Sequence, residues 1–528
     1  MTQPRRTPRT VLAALFVSTA LALTSCAGDV SGATIDSETG RAEQLTMQFT
    51  GPPTSLDPTL GGTGGSTAFV SLAYDPLIYL DRDGKYVPNL AESWEFLDKD
   101  NTEFRMEIRD GVKYSTGEDL TPSSVEESLE YFMESAGSKS ARVGPIEEVS
   151  SDETGVTVKY SSPFPDAPLT MTQEYRVGNV ISPEGVSNPD ELLKTSYGAG
   201  PYILSGTETI PDSEYVYDLN PDYWNPDAQL YDKVVIKVIG DPNAVVSAVT
   251  TGQVDIASGN STTYDVAKDA GLEIDTVPFF NWSLFLADMD GVVNPALKEP
   301  KVRQAIAMSL DREAIANAVH PDLSVANGQI MNEGTPGWVE GLDYEYNVDK
   351  AKSLLAEAGY PDGFELTILT QNTIDSQTMR SQAIADAIEK IGIKVNLEVI
   401  TTGIANFTSE ALTKKYEAVI FPISGTTMGN VQREMLTSGN RNPFEYVNKE
   451  IQDLYEASLR TSDEAERLAI YEDMSRAHHD LAYVIPVFTA MNVKYAGPAV
   501  TNVGTTANNP TSIPNGPTKE LSWQPKVD

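Results

Sequence analysis

The chain has 528 residues, and its 76 acidic side chains outnumber the 38 basic ones, which gives a formal net charge of −38 at pH 7. The acidic residues occur along the whole chain, so most of them are expected on solvated surface, where they repel nucleic acid and anionic lipid headgroups. We therefore expect no nucleic-acid partner. A fraction of 40% hydrophobic residues is ordinary for a globular protein of two or three domains.

The first 25 residues have the pattern of a secretory signal. Arg5, Arg6 and Arg9 precede an apolar run at 11–23, and a charged start followed by a short apolar stretch is typical of such signals. The run is shorter than the ~20 residues that span a bilayer. Export is therefore predicted. Because threonine and proline follow the Arg5-Arg6 pair, both the general and the twin-arginine route stay open.

Cys26, the only cysteine of the chain, follows this segment directly. The sequence "LTSC" at 23–26 resembles the lipobox of bacterial lipoproteins, in which an apolar and two small residues precede an acylated cysteine; the alternative is a small buried side chain. A diacylglycerol on Cys26 would bury ~30 methylene groups, worth ~24 kcal/mol in the membrane. We predict an exported protein that only this lipid anchor holds on the outer face of the cell membrane, with a flexible tether at 26–42.

Helices and strands are both predicted along the mature chain. A helix begins at Thr121 and Pro122, residue types favoured at the N-cap and first helical positions. Its inner face is formed by Val125, Leu129 and Phe132. An apolar strand follows at 234–239, and another helix is predicted from its N-cap Asp349 to Gly359.

The clearest structural unit is a strand, helix and strand at 364–400. Apolar residues alternate at 364–369 and again at 393–399, as in half-buried strands, and recur with helical spacing at 376–390. Two strands joined by a helix imply a right-handed βαβ crossover and an at least partly parallel sheet. The sequence therefore predicts a mixed α/β fold.

The sequence contains little that indicates catalysis. If Cys26 is acylated, no thiol nucleophile remains, and only His320, His478 and His479 can serve a histidine-dependent hydrolase or a zinc site. The "HHD" at 478–480 would supply part of a metal site, but adjacent residues on a helix diverge by about 100°, so an ordinary helix end is expected. We predict no catalytic residue, metal site or cofactor; an exported hydrolase stays open as the alternative.

Nine stretches in register resemble one family, the solute-binding lipoproteins of ABC importers in the dipeptide, oligopeptide and nickel class (family 5). They are "PTSLDPT" (53–59), "YVPNLAESWEF" (86–96), "IRDGVKYSTGEDLTPSSV" (108–125), "ISPEG" (181–185), "GAGPYIL" (198–204), "NPDYWNPD" (220–227), "PKVRQAIAMSLDREAI" (300–315), "YNVDKAKSLLAEAGYPDGFEL" (346–366) and "VIPVF" (484–488). These stretches are expected to fix the fold rather than to contact a ligand.

The resemblance implies a two-lobed periplasmic-binding-protein-like fold of the class II type with an inserted subdomain. Lobe I would comprise 43–76, 181–280 and 488–528, with the subdomain at 77–180, and lobe II would comprise 281–487. A ligand that contacts both lobes would favour closure of the cleft between them, and the permease would recognise the closed form.

The segments connecting the lobes would be 279–285 and 483–488. Asn281 and Trp282 lie in the first of them, where an amide and an aromatic face would meet a ligand. The alternative for Trp282 is packing between the lobes, and both interpretations stay open.

Relatives that bind peptides carry an aspartate, which pairs with the ligand's amino group, in the segment equivalent to 416–430. Here no charged residue occurs from 418 to 430, and a buried ammonium needs a carboxylate or many acceptors. The residues at the expected position are Ser424, Gly425, Thr426 and Thr427. They suit a neutral or polyhydroxylated solute at least as well as a peptide. Arg433, close by, would hold a carboxylate or lie exposed on the surface.

These observations predict a monomeric, lipid-anchored receptor that captures a peptide-like or other small polar solute without chemical change. The receptor would deliver this solute to an ABC permease and its ATPase. Peptides, sugars and metal chelates all remain open as the solute. The alternatives are the exported hydrolase and a sensor or chaperone that uses the same fold with another membrane protein.

Overall fold

The computed structural model describes residues 33–60, 63–135, 143–372, 377–437, 439–504 and 513–527. The predicted signal segment and Cys26 lie outside the described residues. Among those described, no helix has both the length and the apolar character needed to cross a bilayer.

Strands and helices alternate along most of the chain. The strands are β1 (Ala42–Phe49), β2 (Ile78–Leu80), β3 (Tyr86–Pro88), β4 (Ala91–Phe96), β5 (Glu103–Ile108), β6 (Ile146–Ser151), β7 (Gly155–Tyr160), β8 (Tyr202–Leu204), β9 (Glu214–Leu219), β10 (Tyr231–Val238), β11 (Ile256–Gly259), β12 (Glu273–Phe285), β13 (Ser324–Ala326), β14 (Glu365–Gln371), β15 (Lys394–Ile400), β16 (Ala418–Ile423), β17 (Val484–Ala496), β18 (Val500–Thr501) and β19 (Gln524–Pro525). The α-helices are α1 (Thr63–Ser71), α2 (Pro122–Glu134), α3 (Ala167–Thr170), α4 (Pro183–Ser187), α5 (Pro242–Thr250), α6 (Tyr264–Asp269), α7 (Pro300–Ser309), α8 (Arg312–Val319), α9 (Val348–Glu357), α10 (Gln377–Glu389), α11 (Ile404–Ala411), α12 (Met428–Thr437), α13 (Lys449–Arg460) and α14 (Glu464–Leu481).

One long sheet runs through both lobes. In the described part of the chain it has eleven strands, in the order β15-β14-β16-β12-β17-β11-β1-β10-β9-β8, with β13 added on β17. Lobe I is the part built on β1 and β8–β11, and lobe II the part built on β14–β16. The two long strands β12 and β17 belong to both, and they pair antiparallel from Glu273 opposite Ala496 to Phe285 opposite Val484.

Each part has its own hydrophobic core. Leu45, Phe69 and Ile236 pack together in lobe I, and Leu284, Ile306 and Ile368 pack in lobe II. The inserted subdomain, which contains β2–β7 and α2, has a third core that includes Phe104, Leu129 and Val158. Its own sheet is antiparallel, in the order β4-β5-β7-β6. Separate cores allow the parts to move as bodies.

The predicted βαβ unit is confirmed. β14 pairs parallel with β15, with Glu365 opposite Lys394 at one end and Gln371 opposite Ile400 at the other, and α10 connects them. β14 is also parallel to β16. The mixed α/β class, predicted from this unit, is therefore what the structure has.

The predicted helix at Thr121 is also confirmed. The Thr121 side chain accepts a hydrogen bond from the backbone N–H of Ser124, and the Ser124 hydroxyl accepts one from the backbone N–H of Thr121. This reciprocal capping satisfies two of the N–H groups that a helix start leaves without intrahelical partners. The predicted inner face, formed by Val125, Leu129 and Phe132, is buried.

The predicted N-cap of α9 is wrong by two residues. Asn347, not Asp349, is the cap, because its side-chain oxygen accepts a hydrogen bond from the N–H of Lys350 at 3.0 Å. Asp349 instead lies in the first turn, where its negative charge is favourable next to the helix dipole. Gly359 follows the helix with φ of +92°, as its position at the end requires.

Residues 33–41, which we predicted as the end of a flexible tether, are attached to lobe I. The N–H of Ala33 donates to the carbonyl of Lys526 at 2.7 Å, Ile35 forms a bridge with Ala42, and Arg41 pairs with Asp232 at 2.6 Å.

A buried carboxylate fixes the chain where it leaves β12 for lobe II. Asp288 is 0% exposed and accepts backbone hydrogen bonds from Val292, Val293 and Asn294 at 2.7–2.8 Å. Asp288→Ala should therefore lower the free energy of unfolding by about 3 kcal/mol, since three backbone donors lose the charged acceptor that they share.

Asp311→Ala is the matched control, because the Asp311 carboxylate caps α8 through one bond, to Ala314 at 3.0 Å, and such a loss costs about 1 kcal/mol. Calorimetric melting of both variants tests the prediction. Equal losses of unfolding free energy in the two variants would show that the three Asp288 bonds contribute no more than the single Asp311 bond.

Candidate functional site

The pairing of β12 with β17 brings two sheet edges together. Along β11 the chain runs toward residue 493 of β17, and along β16 it runs toward Asn281 of β12. The carboxyl ends of the parallel strands in lobe I and in lobe II therefore both point to the middle of the β12–β17 pair. In open α/β sheets, ligands bind just outside the carboxyl ends of the strands. This geometry places the candidate site at the junction of the lobes.

A cavity of about 220 Å³ lies on the lobe I side of this junction. We call it the hinge cavity. Its described lining comprises Met47, Gln48, Phe49, Thr67, Ala68, Ile256, Ala257, Ser258, Phe279, Asn492, Lys494, Ile513 and Trp523. The walls are mostly apolar, with a few polar groups, as in many small-molecule sites.

Gln48 fixes the wall of the hinge cavity at the carboxyl ends of β1 and β11. Its amide nitrogen donates to the carbonyl of Ile239 at 2.8 Å, and its oxygen accepts from the N–H of Ser258 at 3.1 Å. These bonds hold the ends of three strands in one arrangement, which keeps the cavity wall preformed.

Lys494 is the one ionisable side chain among the described residues that line the hinge cavity. Burial lowers its pKa to about 8, although Asp275 and Glu174 act in the opposite direction; Arg82 adds to the lowering. The Lys494 ammonium lies 5.1 Å from the centre of the Trp523 ring, a cation–π distance. The cavity can therefore present a positive charge beside an aromatic face.

Asn281 is 1% exposed, and both ends of its amide are bonded within the protein. Its nitrogen donates to the carbonyl of Ile330 at 2.6 Å. Its oxygen accepts from the Thr489 hydroxyl at 2.6 Å and from the Asn327 amide at 3.1 Å. The structure thus places this predicted site residue in a polar network that joins β12 to β17, and not in the lining of the hinge cavity.

Trp282 lies inside the core of lobe II. It is 2% exposed, and the guanidinium carbon of Arg380 lies 3.2 Å from its ring centre. Trp282 is not among the described residues that line the hinge cavity. Of the two interpretations of Trp282, its surroundings support packing.

The predicted stretch 424–427 follows β16 at the lobe II edge, and it lies half-buried. Thr426 and Thr427 line a second cavity of about 380 Å³, between lobe II and the inserted subdomain, which we call the cross-lobe cavity. The Thr427 hydroxyl accepts from the N–H of Asn430 at the start of α12. A Cβ on Gly425 would lie 2.5 Å from Cγ2 of Val431, so a larger residue at this position would require the Val431 side chain to move.

The cross-lobe cavity has aromatic walls from both parts that it separates. Its described lining includes Tyr86, Trp94, Phe96, Asn101, Asp166, Arg467 and Tyr471. The structure therefore does not bring all the predicted residues into one site. Asn281 and Trp282 lie in a polar network and in a core, whereas the stretch 424–427 borders this outer cavity through Thr426 and Thr427.

Arg433 is not an exposed surface residue, contrary to one of the two expectations. Its side chain is 10% exposed and pairs with Asp166, which is 13% exposed, at 3.2 Å. The guanidinium also lies 5.1 Å from the Phe164 ring centre. The carboxylate that Arg433 holds thus belongs to the protein itself.

The two adjacent histidines end a helix, as expected. His478 is buried, its Nε2 lies 2.8 Å from the Gln432 side-chain oxygen, and burial lowers its pKa to about 4, so the ring is neutral. His479 stacks on Tyr344 with ring centres 4.0 Å apart. Within the described ranges, no cluster of three or more histidine, cysteine or acidic residues has a geometry that would hold a metal ion.

Phe279, Lys494 and Trp523 were not predicted as site residues. Phe279 is the extra residue of a bulge, since Pro278 pairs with Met491 and Phe280 with Ala490. A bulge redirects a side chain without a marker in the sequence. Lys494 lies between the buried Val493 and Tyr495 and so on the opposite face of β17, a position that carries no sequence signal for a cavity.

Comparison with known proteins gives one family. The sequence model described as "Bacterial extracellular solute-binding proteins, family 5 Middle" matches residues 85–441. Heme-binding protein A of Haemophilus influenzae is 26% identical over 458 residues, which cover 78% of this chain and 80% of that protein. Di/tripeptide-binding protein 3 of Pseudomonas aeruginosa is 24% identical over 498 residues, covering 84% and 89%.

Solved structures share the fold. HbpA2 from Haemophilus parasuis has a TM-score of 0.77 at 20% identity, with 89% of this chain and 98% of that chain covered.

Replacement of Trp282 distinguishes its two interpretations. Trp282→Ala should lower the free energy of unfolding by about 3–5 kcal/mol, because it empties a packed core site. Phe279→Ala, at the bulge that faces the hinge cavity, is the control and should cost much less. Thermal melting measures both. An unchanged melting temperature for Trp282→Ala, together with weakened solute binding, would instead support the interpretation of Trp282 as a ligand contact.

Proposed function

Because the chain belongs to the family 5 bacterial extracellular solute-binding proteins, we propose that it captures a peptide-like or other small polar solute between its lobes and delivers it to an ABC permease and its ATPase. Proteins of this family bind peptides or small ligands and work with ABC permeases. The relatives named above are binding proteins for heme and for di- and tripeptides.

One observation carries the proposal for this chain. The carboxyl ends of two separate parallel strand sets face each other across the β12–β17 pair, and a cavity lies where they meet. The lining of this cavity belongs to lobe I and to the hinge strands. A solute that extends from it to the lobe II edge would contact both lobes and so stabilise their closed arrangement by its differential affinity.

The solute that fits the hinge cavity has an apolar part and an anionic group. Lys494 supplies the positive charge, and Phe49, Phe279 and Trp523 supply apolar and aromatic surface. In contrast, residues 418–430 contain no carboxylate for an amino group. A peptide-like solute would therefore be held through its carboxylate. A neutral, sugar-like solute is the second candidate, and it would be held in the cross-lobe cavity, where the hydroxyl groups of Thr426 and Thr427 belong to the lining.

Membrane anchoring through Cys26 is part of the proposal. Ala33 is already bonded to lobe I, and the seven residue steps from Cys26 to Ala33 span at most about 25 Å when fully extended. An acylated Cys26 would thus hold lobe I close to the membrane, where the permease lies.

Native mass spectrometry of freshly purified protein tests the solute class. We expect a co-purified compound that carries a carboxylate and is recovered chemically unchanged. A neutral polyol would favour the second candidate, and a compound recovered as a hydrolysis product would contradict the binding function in favour of an enzyme.

A dipeptide and its C-terminal amide, leucyl-leucine and leucyl-leucinamide, test the role of Lys494. The free acid should bind more tightly than the amide, and Lys494→Met should remove that difference. Binding needs the charged ammonium, and burial lowers the pKa of this group to about 8. Calorimetric affinity for the acid should therefore fall as the pH rises above 8, up to tenfold per pH unit. A pH-independent difference between acid and amide would exclude Lys494 as the partner.

Replacement of Cys26 tests the anchor. Cys26→Ser should release the protein into the medium or leave it unprocessed, because no other residue can take the diacylglycerol. Fractionation of cells and medium with an antibody measures this, with the wild type as the control. Continued tight membrane attachment of the variant would contradict the lipoprotein assignment.

A further inference from the structure

The inserted subdomain and lobe II touch directly, through side chains that meet across the gap between them. We call this the cross-lobe contact. On the subdomain side it consists of Asn101, Phe164, Asp166 and Tyr175, and on the lobe II side of Asn430, Arg433 and the carbonyls of Leu459 and Thr461.

An ion pair shielded from solvent lies in this contact. Arg433 Nη1 is 3.2 Å from Asp166 Oδ2, and the two side chains are only 10% and 13% exposed. The guanidinium is also within cation–π distance of the Phe164 and Tyr175 rings, at 5.1 and 5.9 Å. Replacement of one partner would leave the other charge buried without a counter-ion while the contact is closed, which disfavours the closed form of such a variant.

Two further hydrogen-bonded points flank the ion pair. The Asn430 amide nitrogen donates to the Tyr175 hydroxyl. The Asn101 amide donates to the carbonyls of Leu459 and Thr461 at 3.0 and 3.3 Å.

Asn101 also has a backbone conformation that needs support. Its φ is +55°, in the left-handed region that residues other than glycine adopt infrequently. Its side chain is almost completely buried. The turn thus directs a buried amide at the end of α13, where it has the two carbonyl acceptors.

Along the chain, the inserted subdomain and lobe II are connected through lobe I and the hinge strands. The subdomain interrupts lobe I, and lobe II is connected to lobe I by β12 and β17. Both hinge strands are irregular near their middle, with register shifts between Pro278 and Phe280 and between Trp282 and Ser283. A rotation there that moves lobe II away from the inserted subdomain separates Arg433 from Asp166.

We propose that the cross-lobe contact is a latch that stabilises the closed arrangement of the lobes without any solute. The ion pair and its flanking hydrogen bonds favour the closed form, and opening requires that they break. The latch adds to whatever closure energy a solute supplies, so it raises apparent affinity by increasing the closed fraction of the free protein. This device acts outside the hinge cavity and goes beyond the proposed function.

Pulsed electron resonance between two spin labels tests the latch. Since Cys26 is the only cysteine, Cys26→Ser gives a background without thiols. Lys99→Cys in the subdomain and Lys449→Cys at the start of α13, both exposed positions, then accept nitroxides. Solute-free protein, stripped of bound compounds by dialysis under mild denaturant and refolding, should show one short distance.

Asp166→Asn and Arg433→Gln should each move this population toward longer distances and lower the closed-to-open ratio at least tenfold. The double variant should open no further than the single ones, because both act on one pair. Tyr175→Phe, which removes one hydroxyl, should produce a smaller shift in the same direction. Asp152→Asn is the matched control, since it breaks an ion pair with Arg105 inside the subdomain and should leave the distances unchanged.

Far-UV circular dichroism and the melting temperature establish that each variant is folded. If Asp166→Asn fails to fold, Arg433→Gln and Tyr175→Phe decide the outcome. A wild type that is already open without solute, or unchanged distances in both ion-pair variants, would overturn the latch. Because the measurement needs no solute, failure of the proposed transport function would leave its result unaffected.

Discussion

The antiparallel pairing of β12 with β17 is the constraint on which the rest of the structure depends. These strands belong to the cores of both lobes, and their ladder fixes where every other strand of the long sheet can lie. The bond between the Thr489 hydroxyl and the Asn281 amide ties the two strands at their centre. Because both sets of parallel strands attach to this pair, their carboxyl ends meet at one place, and the hinge cavity follows from that geometry.

The sequence was most informative where local interactions determine the structure. Thr121 and the spacing behind it define α2 because a cap and an inner face are properties of neighbouring residues. The unit β14-α10-β15 was predictable for the same reason. The cap of α9 failed by two residues, since Asn347 and Asp349 are both good caps and only the packed structure selects one.

The candidate site was harder to predict because its residues are selected by contacts between distant segments. Phe279 faces the hinge cavity through a bulge, and Trp282 faces the core of lobe II, although both belong to one short aromatic run. Arg433 lies buried because Asp166, more than 250 residues earlier, supplies its partner. The alternation of residues along a strand shows which side chains share a face, but it does not show which face borders a cavity.

Electrostatics divides the molecule into an acidic exterior and a few enclosed cations. Net repulsion slows the approach of an anion to a protein of charge −38. At physiological ionic strength, however, such surface charges are screened beyond ~8 Å. Inside the hinge cavity, screening is weaker, so a single ammonium at Lys494 has more influence on an occupant than the distant surface carboxylates.

The bond between Ala33 and Lys526 decides which part of the molecule bears mechanical load. If the acyl chains at Cys26 hold the protein, any pull from the bilayer enters at this point and ends in the sheet of lobe I. No tension then crosses β12 and β17. Lobe II would then move relative to lobe I without mechanical load. Thermal motion of the membrane would therefore not disturb the binding of a solute.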